Sequence, residues 1–400
     1  MSSAQDQDMR SGFEGRRITL VISSLGSGGA ERVMSILASA WAARGAKITL
    51  ITLSGSEAPP FYPLDPAIDL RRLDVMRPSR SRLEGIWRNA ARVLALRAAI
   101  ASSRAELVIS FIDHVNVLAI LATRGLGVPI FVSERVCPGF VPEPRAWTIA
   151  RALAYLRADR LIVQTREIAM RQRPSLRART RVVPNPIPDY RSGRSPGGAG
   201  RRPPEAPKRI VAAGRLVPQK GFDLLVEAFA RIAIARPGWE LWIYGEGPER
   251  ASLEAARARL GLRDRVHLPG VIDDLPEALR DAEIFALSSR FEGFPNALAE
   301  AMSSGLACVS FRCPTGPDEL IRHRVDGLLV PAEDTLGLAT ALGELMDEPA
   351  ERARLAARAP EVSVRFGLDV VLRAWEATFD ELGPPLPERA SIRRAHAPHG

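Results

Sequence analysis

Two α/β halves, each built on a parallel sheet and joined by a short linker, are the architecture that this sequence of 400 residues predicts. Three observations predict it. Short apolar runs alternate with stretches of helical periodicity along most of the chain. The alternation breaks at Arg191–Lys208, RSGRSPGGAGRRPPEAPK, where Gly, Pro and Arg crowd out apolar side chains. After that stretch the alternation starts afresh. Length agrees, because a chain of 400 residues is long for one core and comfortable for two.

The elements follow in order. Residues 1–15 are polar and read as a disordered start. Arg16–Ser24, RRITLVISS, is a buried strand. A Gly-rich turn leads into a helix whose Val33, Met34, Leu37, Ala40 and Trp41 recur at helical spacing, and Gly45 ends it. Ala46–Leu53 is the next strand, which makes a β-turn-α-β opening of a parallel sheet. Glu106–Ile112, Val128–Glu134, Asp159–Thr165 and Arg181–Ile187 are the later strands, so a first domain spans 16–190. Beyond the linker come RIVAAG, a helix from Phe222, WELWIYG, a helix near Glu249–Leu260, RVHLPG and EIFALSS. A helix near Asn296–Ser303 and the strands LACVSF and DGLLVP complete the pattern. Parallel sheets bind ligands outside the carboxyl ends of their strands, and two facing sheets make a cleft for a small ligand.

Charge is uneven. Residues 1–190 hold 27 Lys+Arg against 16 Asp+Glu, a net of +11 out of +9 for the whole chain, so the remainder is at −2. A basic half points to a polyanionic partner: nucleic acid, anionic lipid or a phosphorylated substrate. A compositional drift toward Arg is the plainer alternative, since only Lys47, Lys208 and Lys220 are lysines. Drift does not explain why the excess sits in one half. Cys137, Cys308 and Cys313 have neither zinc spacing nor the numbers for a disulfide framework, which fits a reducing cytosol. The opening MSSAQDQDMRSGFEGRR has no apolar signal core, and no apolar run reaches the ~18 residues that span a bilayer. Ser81–Arg104 is basic and carries Leu83, Ile86, Trp87, Ala90, Val93, Leu94 and Leu96 largely on one side of a helix. It reads either as a helix lying on an anionic membrane or as a core-facing helix with solvated arginines.

Three stretches can carry chemistry. Leu25–Arg32, LGSGGAER, puts glycines between a strand and a helix, where Gly28 and Gly29 let a ligand approach the backbone and the helix start favours an anion. It is not a dinucleotide fingerprint, because Glu31 stands where the third glycine is required; a plain tight turn is the alternative. Gly214–Phe222, GRLVPQKGF, ends the first strand of the second half. Its Arg215 and Lys220 can converge on one phosphate pair, the Arg as a fork and the Lys as a point charge; two solvated surface cations are the alternative, against which stands a lysine in a chain that otherwise uses Arg almost without exception. Ser289–Ala301 runs from a strand through a Gly-containing loop to Pro295, placed at the first turn of a helix. Glu292 and Glu300 can face one pocket there, where carboxylates can grip sugar hydroxyls and amides at the helix start take ligand oxygens; for isolated acids a solvated face is the plainer alternative, and Arg215 with Lys220 reverses the balance.

At these residues a family comes into view. GRLVPQKGFDLLVEAF, WELWIYGEGPER, SSRFEGFPNALAEAMSSGLACVS and CPTGPDELI together resemble the retaining glycosyltransferases of family 4, which have the two-domain GT-B fold. Glu292 and Glu300 match that family's motif of two glutamates separated by seven residues. The resemblance runs from Arg17 to Leu382, most closely after Arg209. It implies that Arg215 and Lys220 hold the donor diphosphate, Glu292 the transferred sugar and Glu300 the ribose, with amides near Phe294, Asn296, Ala297 and Leu298 also serving the donor. It implies that SLGSGGAER, with Gly28 and Gly29, lies near donor phosphate and acceptor, and that His114 of SFIDHVN lines the sugar pocket. Arg215, Lys220, Glu292 and His114 are then the catalytic candidates. SERVCP resembles a Ser-Glu-Arg segment of bacterial relatives that build lipid-linked or surface polysaccharides, but Val136-Cys137-Pro138 departs from their continuation. Such enzymes usually need no metal, and Asp273-Asp274 makes no D-x-D motif.

The expected organisation is therefore a linker at 191–208, a donor-binding domain at 209–364, a C-terminal helix at 365–383 crossing back to the first domain, and a disordered tail at 384–400. The expected activity is retaining transfer of a hexose or N-acetylhexosamine from a nucleotide-sugar, a UDP-sugar by likeness, to a lipid-linked or polysaccharide acceptor. The expected place is the cytoplasm or the inner membrane face. Two rival classes remain: a nucleotide-sugar epimerase of similar architecture, and a basic nucleic-acid-binding protein. The second would interleave aromatics with arginine, and only Tyr155, Trp87 and Trp147 stand near such runs.

Overall fold

β1 (Arg17–Ile22) and β2 (Lys47–Thr52) each open with an exposed cation and bury the five residues that follow. Strands buried on both faces read as continuous apolar runs, and these two pair in parallel with Leu20 opposite Leu50. Between them runs α1 (Gly29–Ala43). The structure, a computed structural model, describes residues 12–76, 81–135, 139–140, 144–190, 203, 205–272 and 275–383. Of the expected disordered start 1–15, residues 1–11 lie outside those residues, as do most of the linker 191–208, Val136–Pro138, Asp273-Asp274 and the tail 384–400, whereas 12–15 are ordered, because Phe13 is 1% exposed and packs on Trp41 and Phe379.

Two compact units divide the chain: one holds it up to Pro186 and again from Asp369, the other from Ile187 to Leu368. The first unit continues with β3 (Asp69–Arg72), α2 (Arg82–Ser103), β4 (Leu107–Phe111) and α3 (Asp113–Thr123). It goes on through β5 (Ile130–Ser133), α4 (Arg145–Tyr155), β6 (Arg160–Val163), α5 (Arg166–Arg171), α6 (Pro174–Arg177) and β7 (Thr180–Val182). Its parallel sheet has the order β3-β2-β1-β4-β5-β6-β7. The order reverses between β1 and β4, which is where such a sheet opens a ligand crevice.

The second unit runs β8 (Lys208–Ala213), α7 (Phe222–Ala233), β9 (Trp239–Tyr244), α8 (Arg250–Arg259), β10 (Val266–Gly270), α9 (Leu275–Arg280) and β11 (Ile284–Leu287). Then come α10 (Asn296–Ser303), β12 (Ala307–Arg312), α11 (Pro317–Leu320), β13 (Leu328–Pro331), α12 (Thr335–Asp347), α13 (Pro349–Arg358) and α14 (Glu361–Arg365). Its order is β10-β9-β8-β11-β12-β13, with the reversal between β8 and β11. Two apolar clusters lie on the two sides of this sheet, one around Phe229 and Leu342, the other around Leu298 and Leu320. The last helix, α15 (Leu368–Asp380), belongs to the first unit, where Trp375 meets Trp41 and Phe111.

Two sequence readings change. The apolar residues of Ser81–Arg104 do not share one face: Leu96 is buried, whereas Trp87, Ala90 and Leu94 point outward. Pro295 is the N-cap residue of α10, one position before the first turn. No helix among the described residues is long and apolar enough to cross a membrane.

A surface ion network gives the second unit a pH signature. Glu361 accepts from Arg358 and Arg322, and Arg322 also bonds the fully buried carboxylate of Asp326. Hydrogen bonds from Arg358 and then Arg322 hold the Glu361 carboxyl down at about 2. A depressed carboxyl contributes stability above its ordinary pKa and loses it as the pH falls through the folded value. The melting temperature of Glu361→Gln should therefore lie below wild type at neutral pH. The gap should close as the pH drops from about 4.5 toward about 2. A gap that stays constant over that window would remove the assignment.

Candidate functional site

In the second unit the loops after β8 and β11, adjacent at the point where the order reverses, are laced together. Arg290 N–H donates to the Gln219 carbonyl at 2.8 Å, and Gln219 Nε2 to the Phe291 carbonyl at 3.0 Å. Arg290 also donates to the Pro218 carbonyl and grips Asp223 with both nitrogens. Gly221 is required for this approach: its φ is +59°, and a Cβ there would lie 2.1 Å from the Ser288 carbonyl oxygen. Gly245, at the end of β9, closes on the same loop from the other side, with 1.9 Å between a built Cβ and the Gly214 carbonyl oxygen.

That lacing brings Lys220 to Glu292. Lys220 Nζ lies 2.7 Å from Glu292 Oε1, which also accepts from Ser289 Oγ at 2.6 Å. Thr315 Oγ1 donates to the Glu292 carbonyl. Glu292 is buried, 4% exposed, so its charge depends on these partners. Arg215 is exposed, and among the described residues its guanidinium enters no hydrogen bond or ion pair. A free fork beside a paired lysine is an arrangement suited to a diphosphate.

α10 begins beside this pair. Ala299 is its first intrahelical donor, to the Pro295 carbonyl, and the amides of Ala297 and Leu298 precede it. Asn296 N–H is turned back to the Phe294 carbonyl at 2.9 Å. Phe294 and Leu298 bury their side chains in the core, so only their backbone can meet a ligand. Glu300, also 4% exposed, lies on the buried side of the same helix.

In the first unit, Gly28 and Gly29 follow β1, and Asp113-His114 follow β4, the two strands at its reversal. Gly28 caps α1 without a side-chain bond, and a Cβ there would lie 2.1 Å from Glu31 Oε2. The chain's own first-turn carboxylate thus leans on the helix start, a placement the helix dipole favours. Ile112 turns β4 into α3 at φ +77°, where a β-branched residue costs ~1–3 kcal/mol. His114 is mostly exposed, its Nδ1 2.9 Å from Asp113 Oδ1, its ring stacked on Trp147 at 4.3 Å. Burial pushes the Asp113 carboxyl up, but the hydrogen bond from His114 and the charges of His114 and Arg151 together hold it below its usual range.

Sequence reasoning missed the network beneath this histidine. Arg151 stands 3.8 Å from Asp113 and 3.5 Å from the buried Glu134. Asn116 Nδ2 donates to the Tyr155 hydroxyl at 3.0 Å, and burial, with the Glu134 charge, pushes that phenol well above its ordinary range. Arg135 lies over the Phe111 ring at 3.4 Å and donates to Asn185 Oδ1 at 2.6 Å. The Ser-Glu-Arg segment was the one signal available; its partners come from α3, α4 and the chain beyond β7, far off in sequence.

Comparison with known proteins gives a consistent result. The family of glycosyl transferases group 1 matches residues 207–348, and the glycosyl transferase 4-like domain matches 28–187. An alpha-1,4-N-acetyl-D-galactosaminyltransferase of Campylobacter jejuni, whose full name specifies a PP-undecaprenol-linked acceptor, is 25% identical over 365 residues, 90% of this chain and 97% of that one. An exopolysaccharide phosphotransferase of Streptomyces coelicolor is 38% identical over 205 residues, but this chain spans only 21% of its length. HepE of Anabaena, solved with UDP and glucose, superposes with a TM-score of 0.74 at 19% identity over 91% of this chain and 99% of that one, a likeness of fold.

Proposed function

The chain belongs to the glycosyl transferases of group 1, and from that premise we propose that it moves a hexose or N-acetylhexosamine from a UDP-sugar to a lipid-linked or polysaccharide acceptor, with retention, at the inner face of the cytoplasmic membrane. The observation that carries the reading is the Lys220–Glu292 pair set beside the start of α10 and beside Arg215, which has no partner among the described residues. Arg215 and Lys220 hold the donor diphosphate, Glu292 the sugar hydroxyls and Glu300 the ribose. His114 lines the sugar pocket, oriented by Asp113. The resident carboxylates serve as holding groups, and no metal is needed in this scheme.

Retention then proceeds by front-face substitution. The acceptor oxygen attacks the anomeric carbon from the side on which the diphosphate leaves. The bond between that carbon and the β-phosphate oxygen breaks, and the acceptor proton passes to a β-phosphate oxygen. Charge grows on the departing UDP, where Arg215 and Lys220 stabilise it. The names of the relatives support the donor and acceptor classes: HepE is described with UDP and glucose, and the Campylobacter enzyme with a polyprenol-linked glycan.

Thermal stabilisation by a panel of UDP-hexoses and their N-acetyl forms tests the donor. A ligand at a hundred times its Kd stabilises by ~2.7 kcal/mol, enough for a visible shift. Stabilisation by another nucleotide-sugar and by no UDP-sugar would overturn the base. NMR of the product should show the anomeric configuration of the donor; inversion would exclude front-face transfer. Epimerisation of the donor without any acceptor would place the chain with the epimerases instead.

A further inference from the structure

Among the described residues, six exposed large apolar side chains gather on three neighbouring helices, α2, α3 and α4 with its C-cap. α3 lies between α2 and α4, and all three rest on the same face of the first unit's sheet. Inward, Leu96, Ile100, Val115, Ala119 and Tyr155 fill the core. Outward, the faces are also apolar. On α2, Trp87 is 76% and Leu94 66% exposed, with Ala91 and Ala98 completing a stripe at helical spacing. On α4, Ile149 and Leu153 are each 55% exposed, and Leu156 extends the row. Leu121 of α3 lies exposed on the helix between them.

We propose that the outward faces of α2, α3 and α4 form one docking surface for an anionic lipid bilayer. This deepens the functional reading by naming the surface that would meet the membrane, and its experiment reads lipid binding apart from sugar transfer. A monomer rarely gathers so many exposed large apolar side chains on adjacent helices unless something covers them. Charge selects the occupant. Exposed Arg124, Arg145 and Arg157 rim the patch at helix ends. Among the described residues of the three helices the acids are Glu84, bonded to Arg88, and Asp113, bonded to His114, so no exposed carboxylate interrupts it. A second copy seated face to face would bring these arginine rims together, which repulsion disfavours. Anionic headgroups instead meet the arginines while the large side chains enter the acyl boundary. This resolves the two alternatives for Ser81–Arg104: the helix is core-facing along Leu96 and Ile100 and lipid-facing along Trp87 and Leu94.

The full chain is cosedimented with vesicles of phosphatidylcholine alone and of phosphatidylcholine with phosphatidylglycerol, at low and high salt. Wild type should bind the anionic vesicles, more weakly in high salt. Trp87→Glu/Leu94→Glu and Ile149→Glu/Leu153→Glu should each lower the bound fraction by about tenfold or more, since apolar insertion and headgroup attraction both contribute. Arg124→Gln/Arg145→Gln/Arg157→Gln should erase the preference for anionic vesicles. Melting temperature and stabilisation by UDP-sugar should stay at wild-type values in all three, which separates loss of docking from loss of the donor site. Failure of wild type to bind anionic vesicles, or binding that neither glutamate pair disturbs, would overturn the proposal. So would a dimer in sedimentation equilibrium that the glutamate pairs dissociate, which would assign the patch to a second copy.

Discussion

Lys220→Ala should lower kcat/KM for sugar transfer by about two to three orders of magnitude, and it should also lower the melting temperature. The second effect follows from the structure. Lys220 is the cationic partner of a carboxylate that is 5% exposed. Removing one member of such a pair strands the other charge, at a cost of ~3–5 kcal/mol when the pair is fully buried, and less here because the Lys220 side chain keeps 19% of its exposure. A loss of activity in Lys220→Ala is therefore ambiguous by itself. Lys220→Ala/Glu292→Gln resolves it. The amide can still accept from Ser289 Oγ but carries no charge to strand, so stability should return while transfer stays slow. Arg215→Ala supplies the complement: an exposed guanidinium without a partner among the described residues, whose loss should slow transfer and leave the melting temperature unchanged. Near wild-type kcat/KM in Lys220→Ala with a lowered melting temperature would make Lys220 a counter-ion for Glu292 and nothing more.

The sequence made the strand-and-helix alternation legible because parallel strands buried on both faces leave unmixed apolar runs. β3 breaks that rule. Its residues, DLRR, are half-exposed at the sheet edge, and pairing of Thr49–Thr52 with Asp69–Arg72 holds them rather than burial. The candidate residues of the second unit were legible for a related reason: the apolar runs of β8 and β11 end at Ala213 and Leu287, which marks the loops that carry Arg215, Lys220 and Glu292. Ser289 and Thr315 gave no such signal, since what they do depends on which loop lies opposite. The same holds for Glu134 and Arg151, on β5's end and α4, whose pairing only the packed first unit reveals. The outward stripe of α2 was misjudged because a long helix with apolar residues on two faces has a periodicity that does not say which face is covered.

Trp375→Ala should destabilise the first unit by about 3–5 kcal/mol, the range for removing a large aromatic from a core. The ring is 1% exposed. It meets Trp41 edge-on at 6.0 Å and stacks on Phe111 at 6.3 Å. Phe379, one turn on, meets Phe13 at 5.5 Å and Phe131 at 6.4 Å, and Phe13 returns to Trp41 at 5.4 Å. α15 therefore supplies two rings of one aromatic layer whose other members come from β4, β5, α1 and the start of the chain. Rings fixed on strands cannot shift to fill a vacated indole, so the cavity term should be near its upper range. Trp375→Phe, which keeps an aromatic contact, should cost markedly less. Urea unfolding of the three proteins measures this. A loss below ~1 kcal/mol for Trp375→Ala would mean that the helix is an appendage and not part of the core. Function should feel the same change. Phe111 carries the Arg135 guanidinium on its face and is followed at once by the strained Ile112 and by Asp113-His114. A loosened Phe111 should let that turn relax, so Trp375→Ala is expected to slow transfer while stabilisation by UDP-sugar, whose proposed site lies on the second unit, persists.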